Sequence, residues 1–298
     1  MLGYYACKLF SRFVCVAPLW VRKLIIGFLK LVAYVAMPKW REQMAQHNVM
    51  ECLGVDKVTA RIIAEDSVTR FARMIVEVMR FPLINEQNID SFAHVEGLEN
   101  LEAAYNEHKG VIIASAHYGN WELVPPALTL RGYPMLSIAR KQNNRHMDRL
   151  INEFRQMVGQ KIAYNHGSND LLAMKRILQE KNLLGVMFDQ DTNDGGIKAD
   201  LFGKPLKTPA GVAGFSRMLG TPIVPTFCHN NPDGTVTVVL YPALHTPKTA
   251  NKEEDCYKTT KELMVILEHE IIKDPPLWFW VHDRWKDGRK LFHHGKKH

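Results

Sequence analysis

The sequence predicts an α/β fold: a mixed central sheet flanked by helices, with a helical, membrane-associated segment at the amino terminus. Three observations carry that expectation. From about residue 111 onward, short continuous apolar runs alternate with amphipathic stretches, as strands alternate with their covering helices. Before that, roughly the first 95 residues carry helical spacing. And residues 1–41 hold seven basic residues and no acid, the first acid being Glu42.

The amino-terminal segment comes first in order. Beyond Arg12 its longest charge-free runs are Phe13–Val21, Leu24–Leu29 and Leu31–Pro38. None reaches the ~18 residues of a clean spanning helix. Arg22, Lys23 and Lys30 interrupt the apolar stretch, which a cleavable leader would not tolerate. The segment reads as a membrane-bound helix or helical hairpin, bent near Pro18. One tilted span centred on Leu24–Met37, with Lys30 reaching back to the surface, is the alternative. The basic excess keeps the body on the cytoplasmic side.

Val58–Arg80 is the next helix, with Ile62, Ile63, Val68, Phe71, Met74, Ile75 and Val78 at three- and four-residue steps. Phe81-Pro82 ends it. Leu98–His108 is a short helix closed by Gly110. Val111–Ala116, Met135–Ala139 and Leu183–Phe188 are buried strands. Arg145–Val158 and Asn169–Glu180 are amphipathic helices. Thr208–Met218 reads as a helix with Pro209 in its first turn. Ile223–Cys228 and Thr235–Tyr241 flank a turn at Asn231-Pro232-Asp233-Gly234. Lys252–Ile272 is a helix stopped by Pro275-Pro276. There is no repeat and no Gly/Ser linker. The organisation is therefore a membrane-anchoring segment, 1–41, and one unit, 42–298. That unit comprises a helical lead-in (42–108), an α/β core (109–286) and a basic tail (287–298).

Composition narrows the function. The chain has 298 residues, 46% apolar and 23% charged, long enough for a sizeable core. Mean hydropathy is −0.18, which excludes a polytopic membrane protein. The net charge is +7, but residues 42–283 carry 25 basic against 30 acidic groups. The basic charge sits at the two ends. A nucleic-acid binder would spread it over the folded body, so the expected partner is an anionic membrane. The five cysteines form no CxxC pair, which argues for inert thiols rather than disulfides or a zinc ribbon. There is no P-loop and no GxGxxG after a strand.

The chemistry concentrates in Ser115-Ala116-His117-Tyr118-Gly119-Asn120-Trp121-Glu122, at the end of a buried strand. Strand ends are where α/β sheets hold ligands. His117 and Glu122 are five apart, about 500° around an ideal helix, so they would diverge on one. They meet only if His117 lies on a turn and Glu122 opens the helix. The carboxylate would then fix the imidazole tautomer and leave the other nitrogen as a general base.

The string HYGNWE resembles the HxxxxD/E motif of the glycerolipid acyltransferase superfamily, and within it the late (secondary) lipid A biosynthesis acyltransferases. Four further blocks follow in the family's order. Ala139-Arg140-Lys141-Gln142-Asn143-Asn144 is similar to its second block, with Lys141 in place of a proline. Phe188-Asp189-Gln190-Asp191 resembles its Asp-Gln-Asp. Phe202-Gly203-Lys204 through Thr208-Pro209-Ala210-Gly211 resembles its Phe-Gly … Thr-Pro-x-Gly block. Trp278 to Lys286 resembles its closing signature, with Asp283 where members often carry a second arginine. The match runs over roughly 110–286.

The resemblance implies direct transfer of a fatty acyl chain from an acyl thioester to a hydroxyl of a lipid A precursor. His117 would be the base and Glu122 its orienting acid. No enzyme nucleophile is needed, in keeping with the missing GxSxG. Asn120, Arg140, Asp189, Asp191, His282 and Arg284 would bind substrate, Arg140 at the thioester oxygen or a phosphate. His282 and Arg284 would meet an acceptor phosphate. The implied donor is acyl carrier protein (or acyl-CoA), steered by Arg140, Lys141, Arg145 and Arg149. No metal or cofactor is expected, although His117, Asp189 and Asp191 could be read as ligands. The location would be the cytoplasmic face of a bacterial inner membrane. A same-fold enzyme for a lysophospholipid or a phosphatidylinositol mannoside is the alternative, and a non-catalytic lipid-binding protein a further one.

Overall fold

A computed structural model of the chain describes residues 2–164, 168–192, 196–286 and 292. Most of the basic tail lies outside the described residues. Four helices open the chain: α1 (Leu2–Val16), α2 (Leu19–Ala36), α3 (Lys39–Leu53) and α4 (Lys57–Val78). The bend falls where Pro18 was expected to place it, as the residue that precedes α2. Asp56 caps α4, its carboxylate accepting from the backbone N–H groups of Val58 and Thr59 at 2.7 and 3.0 Å. Strands and helices then alternate: β1 (Ala93–Glu96), α5 (Leu98–Tyr105), β2 (Val111–Ser115), α6 (Val124–Thr129), β3 (Met135–Ala139), α7 (Arg145–Met157), β4 (Lys161–Tyr164), α8 (Ser168–Gln179) and β5 (Leu183–Met187). The hairpin β6 (Ile197–Leu201) and β7 (Lys204–Thr208) follows, then α9 (Gly211–Leu219), β8 (Ile223–Asn230), β9 (Val236–Leu240) and α10 (Lys252–Lys273).

The main sheet runs β1-β9-β8-β2-β5-β3-β4. Its pairs are parallel except β8–β9, so the sheet is mixed as expected. The buried run of β2 alternates faces with the period of two that a strand imposes. Ile112 and Ala114 face one core with α4, α8, α9 and α10. Val111 and Ile113 face the other, with α5, α6, α7 and Tyr4 of α1. Both faces are covered, which explains why β2 and β5 read as continuous apolar runs.

Three strand regions differ from the sequence expectation. β1 lies inside the stretch read as helical, and β4 is a four-residue edge strand. The hairpin β6–β7 claims Thr208, which was expected to open a helix; α9 starts three residues later, at Gly211.

The amino-terminal helices are of two kinds. α1 docks on the body: the Tyr4 hydroxyl donates to Glu153 of α7, and Ser11 Oγ donates to the Met79 carbonyl at 2.6 Å. α2 buries no residue fully. No described helix is long and apolar enough to cross a membrane, so the tilted-span alternative finds no support.

Candidate active site

The site grows from sheet register. β2 and β5 are adjacent and parallel, with Ser115 opposite Met187. Two residues past each strand end, His117 and Asp189 leave the sheet side by side at its carboxyl edge. The His117 N–H donates to Asp189 Oδ2 at 3.0 Å, and the ring Nδ1 lies 2.7 Å from Oδ1. The Trp278 indole N–H donates to the same Oδ2 at 3.1 Å. Asp189 is 3% exposed. Burial alone would raise its pKa, but the facing imidazole and these hydrogen bonds outweigh it and hold the carboxyl at about 2. Across any working pH it is an anion.

An ionised Asp189 requires a proton on His117 Nδ1, so the lone pair of the neutral ring sits on Nε2. Gln190 Nε2 lies 3.0 Å from that nitrogen and donates to it. Trp121 packs edge-on against the imidazole, ring centroids 4.9 Å apart.

The turn that presents His117 is pinned from both sides. Gly119 N–H donates to the Leu277 carbonyl at 2.8 Å, and Phe279 N–H to the His117 carbonyl at 3.1 Å. The closing signature thus runs antiparallel beside residues 117–119. Gly119 has φ +62°, and a Cβ there would fall 1.8 Å from the Cys228 carbonyl oxygen; no other residue fits. Asn120 is buried and donates to Glu77 of α4 at 2.6 Å. Ser67 of α4 donates to the Trp278 carbonyl at 2.6 Å.

Glu122 is placed differently from expectation. It does lie on the first, 3₁₀ turn after the loop. Both its oxygens, however, are taken by Arg155 of α7, from Nε at 3.0 Å and from Nη2 at 2.6 Å. The pair is bidentate and mostly buried. The carboxylate on the imidazole is that of Asp189, not Glu122. The physical reason is competition: a guanidinium fork satisfies both oxygens of Glu122 at once, and register delivers Asp189 to the ring.

The other expected residues divide into two groups. Asp191, His282 and Arg284 gather near Asp189. Asp191 is in an ion pair with Lys286. His282 is largely buried, and burial lowers its pKa against the pull of Asp189, which favours the neutral ring. Arg284 is 1% exposed. It donates to the Lys207 carbonyl at 3.3 Å and to Thr208 Oγ1 at 3.1 Å. Burial depresses its pKa to about 10, opposed by Asp189 and Asp191. Arg140 stands apart, exposed on the turn after β3, with β5 between its strand and β2. Gln190, Trp278 and Arg155 also belong to this site. The first two lay inside recognised blocks; nothing marked Arg155 among the charges of an amphipathic helix.

A histidine with one nitrogen fixed by a carboxylate and the other directed to a replaceable amide is equipped to take a proton from a hydroxyl. Comparison with known proteins agrees with that chemistry. Residues 3–287 match the family model described as bacterial lipid A biosynthesis acyltransferase. The chain is 25% identical to the lipid A biosynthesis palmitoleoyltransferase of Escherichia coli (strain K12) over 83% of this chain and 79% of that one. It is 24% identical to a phosphatidylinositol mannoside acyltransferase of Mycobacterium tuberculosis (strain ATCC 25618 / H37Rv) over 74% and 69%. It is 20% identical to a lipid A biosynthesis acyltransferase of Haemophilus influenzae over 87% and 82%. The chain belongs to the bacterial lipid A biosynthesis acyltransferase family and is an acyltransferase.

Proposed function

We propose that the chain moves a fatty acyl group from an acyl thioester to a hydroxyl of a lipid A precursor, with His117 as general base and Asp189 as the carboxylate that orients it. The observation that carries this reading is the two-sided hold on His117: Asp189 on Nδ1, a neutral amide on Nε2. An acceptor hydroxyl takes the place of the Gln190 amide. Its proton passes to Nε2 as the oxygen attacks the thioester carbonyl. The tetrahedral intermediate collapses, the carbon–sulfur bond breaks, and the thiolate recovers the proton from Nε2. Asp189 stabilises the imidazolium between those steps. Glu122 acts at one remove, bracing the turn through Arg155.

For the donor we favour acyl carrier protein. Arg140, Lys141 and Arg145 are exposed together on the turn and first residue of α7. Cations at a helix amino terminus oppose its dipole, a cost that suits an acidic partner. Two stripes support interfacial membrane binding. Tyr5, Leu9, Phe13 and Val16 of α1, and Trp20, Leu24, Phe28, Leu31 and Val35 of α2, are large, apolar and exposed at helical spacing. Bound at the cytoplasmic face of the inner membrane, the enzyme would meet its acceptor there.

The similarity to phosphatidylinositol mannoside acyltransferases favours a second acceptor reading, a mannosylated phosphoinositide. Mass spectrometry of the lipids made with and without the gene separates the two. Under the first reading lipid A loses one acyl chain, wild type restores it, and His117→Ala does not. In purified form His117→Ala lowers turnover by ~10²–10⁴-fold. Near-normal turnover would remove the base assignment. Unchanged lipid A would move the acceptor to the second reading.

A further inference from the structure

A cavity of about 350 Å³ opens beside the catalytic edge, lined among others by Asp191, Lys198, Lys207, Arg284, Trp285 and Lys286. Its charge is unusual. Lys198 and Lys207 are directly opposed across the β6–β7 hairpin and both are exposed. Like charges directly opposite each other on a strand pair are destabilising. The floor is Arg284, 1% exposed, whose hydrogen bonds among the described residues go to neutral oxygens, the Lys207 carbonyl and the Thr208 hydroxyl. Its Nε is buried and, among the described residues, has no hydrogen-bond partner. A buried guanidinium with an unfilled donor costs free energy unless a ligand completes it. The acid among the cavity residues, Asp191, is already engaged by Lys286.

We infer that Lys198, Lys207 and Arg284 form a binding site for a phosphate group of the substrate. Two exposed lysines and a buried guanidinium line one concavity, a charge arrangement suited to a phosphate dianion. The site stands two residues along the chain from Asp189, through Asp191, so a phosphate held there leaves the rest of the same molecule near His117. Two sources share this chemistry: a phosphate of the acceptor, or the phosphate of the donor's phosphopantetheine arm. The inference rests on the acyl-transfer reading only for the source; the anion site itself is independent of it.

The test uses the full chain in detergent. Inorganic phosphate and pyrophosphate are titrated against the intrinsic tryptophan fluorescence, since Trp285 lines the cavity. Pyrophosphate binding is expected in wild type and in His117→Ala, weakened at least about tenfold in Lys198→Ala/Lys207→Ala and recovered in Lys198→Arg/Lys207→Arg. Both lysines are exposed, so folding is not at stake, and the thermal midpoint checks it. Steady-state kinetics then assign the source. A KM raised for the phosphorylated acceptor, but not for its dephosphorylated form, assigns the acceptor phosphate. A KM raised for the donor assigns the phosphopantetheine. Equal pyrophosphate binding by wild type and the double alanine variant, with both KM values unchanged, overturns the site. That result would leave the His117 assignment standing, just as an active His117→Ala that still binds pyrophosphate would overturn the base and not the site.

Discussion

The six residues from His117 to Glu122 end in two ion pairs built on different plans. Asp189 receives three groups from two separate segments: the His117 backbone and ring, and the Trp278 indole. Among the described residues Glu122 receives one partner, the fork of Arg155. The first pair joins two strand ends across the sheet and leaves a basic nitrogen available. The second joins a short turn to α7 and leaves nothing available: an arginine stays protonated and both carboxylate oxygens are occupied. Nearness in sequence is therefore not nearness in chemistry. A carboxylate five residues along can brace the turn, while one 72 residues away shares the proton.

The largest effect is expected at Asp189. Asp189→Asn keeps the shape but offers the ring a neutral amide, which neither holds the Nδ1 proton nor stabilises an imidazolium. Turnover should fall by roughly 10²-fold or more, with acceptor KM changed far less. Stability gives a second readout with a defined sign. The folded-state pKa of Asp189 is about 2, below the ~3.9 of an unfolded aspartate. Its contribution is therefore present above pH ~4 and is lost as pH falls toward 2. Thermal midpoints of wild type should drop across that window more steeply than those of the asparagine variant. Equal turnover in both proteins would remove the orienting role from Asp189.

Glu122 gives the next effect, and of another kind. Glu122→Gln leaves Arg155 mostly buried without its counter-ion. Breaking such a pair costs about 3 kcal/mol, read as a lower denaturation midpoint. Turnover of the protein that remains folded should fall by no more than about tenfold, because the imidazole keeps Asp189. Arg155→Met should cost a similar amount, and the double variant less than the sum of the two. Additive losses would mean that the two side chains do not act as a pair. A loss of turnover as large as that of Asp189→Asn, with stability intact, would erase the distinction between them.

How much of this was legible in the sequence depends on which physical signal carried it. β2, β3, β5, β8 and β9 were readable because continuous or alternating apolar runs report burial directly. The hairpin β6–β7 was not. Its two-residue turn is Phe202-Gly203, and Phe202 has φ +54°, a conformation usually announced by Asn, Asp or Gly. β4 is a four-residue edge strand, and β1, equally short, follows a long helical stretch. At the site, His117 was legible from its place at a strand end. Its partner was not, because choosing between Glu122 and Asp189 needs the order and register of β2 and β5. Those are facts of the sheet that no local pattern contains. Asp189 stood out in the sequence by resemblance, and its contact with the His117 ring is visible only in the geometry.

The smallest expected effect concerns α2, the region least like the sheet edge. A helix of a soluble core turns its apolar residues inward; α2 turns Trp20, Leu24, Phe28, Leu31 and Val35 outward. Leu24 is 65% exposed. Replacing it with serine removes little packing, so the folded body and the turnover in detergent should be nearly unchanged. On a bilayer the same side chain would be half sunk in the interface, a burial worth about 1 kcal/mol, or roughly fivefold in partitioning. Sedimentation with vesicles of phosphatidylethanolamine and phosphatidylglycerol should register that loss for Leu24→Ser. The control is Ile62→Ser, at an exposed position of α4 outside the stripe; it should pellet like wild type. Equal pelleting of all three proteins would mean that the stripe faces something other than lipid. A fivefold loss confined to α2 would support the interfacial role proposed for the outward-turned helix, apart from the chemistry proposed for the sheet edge.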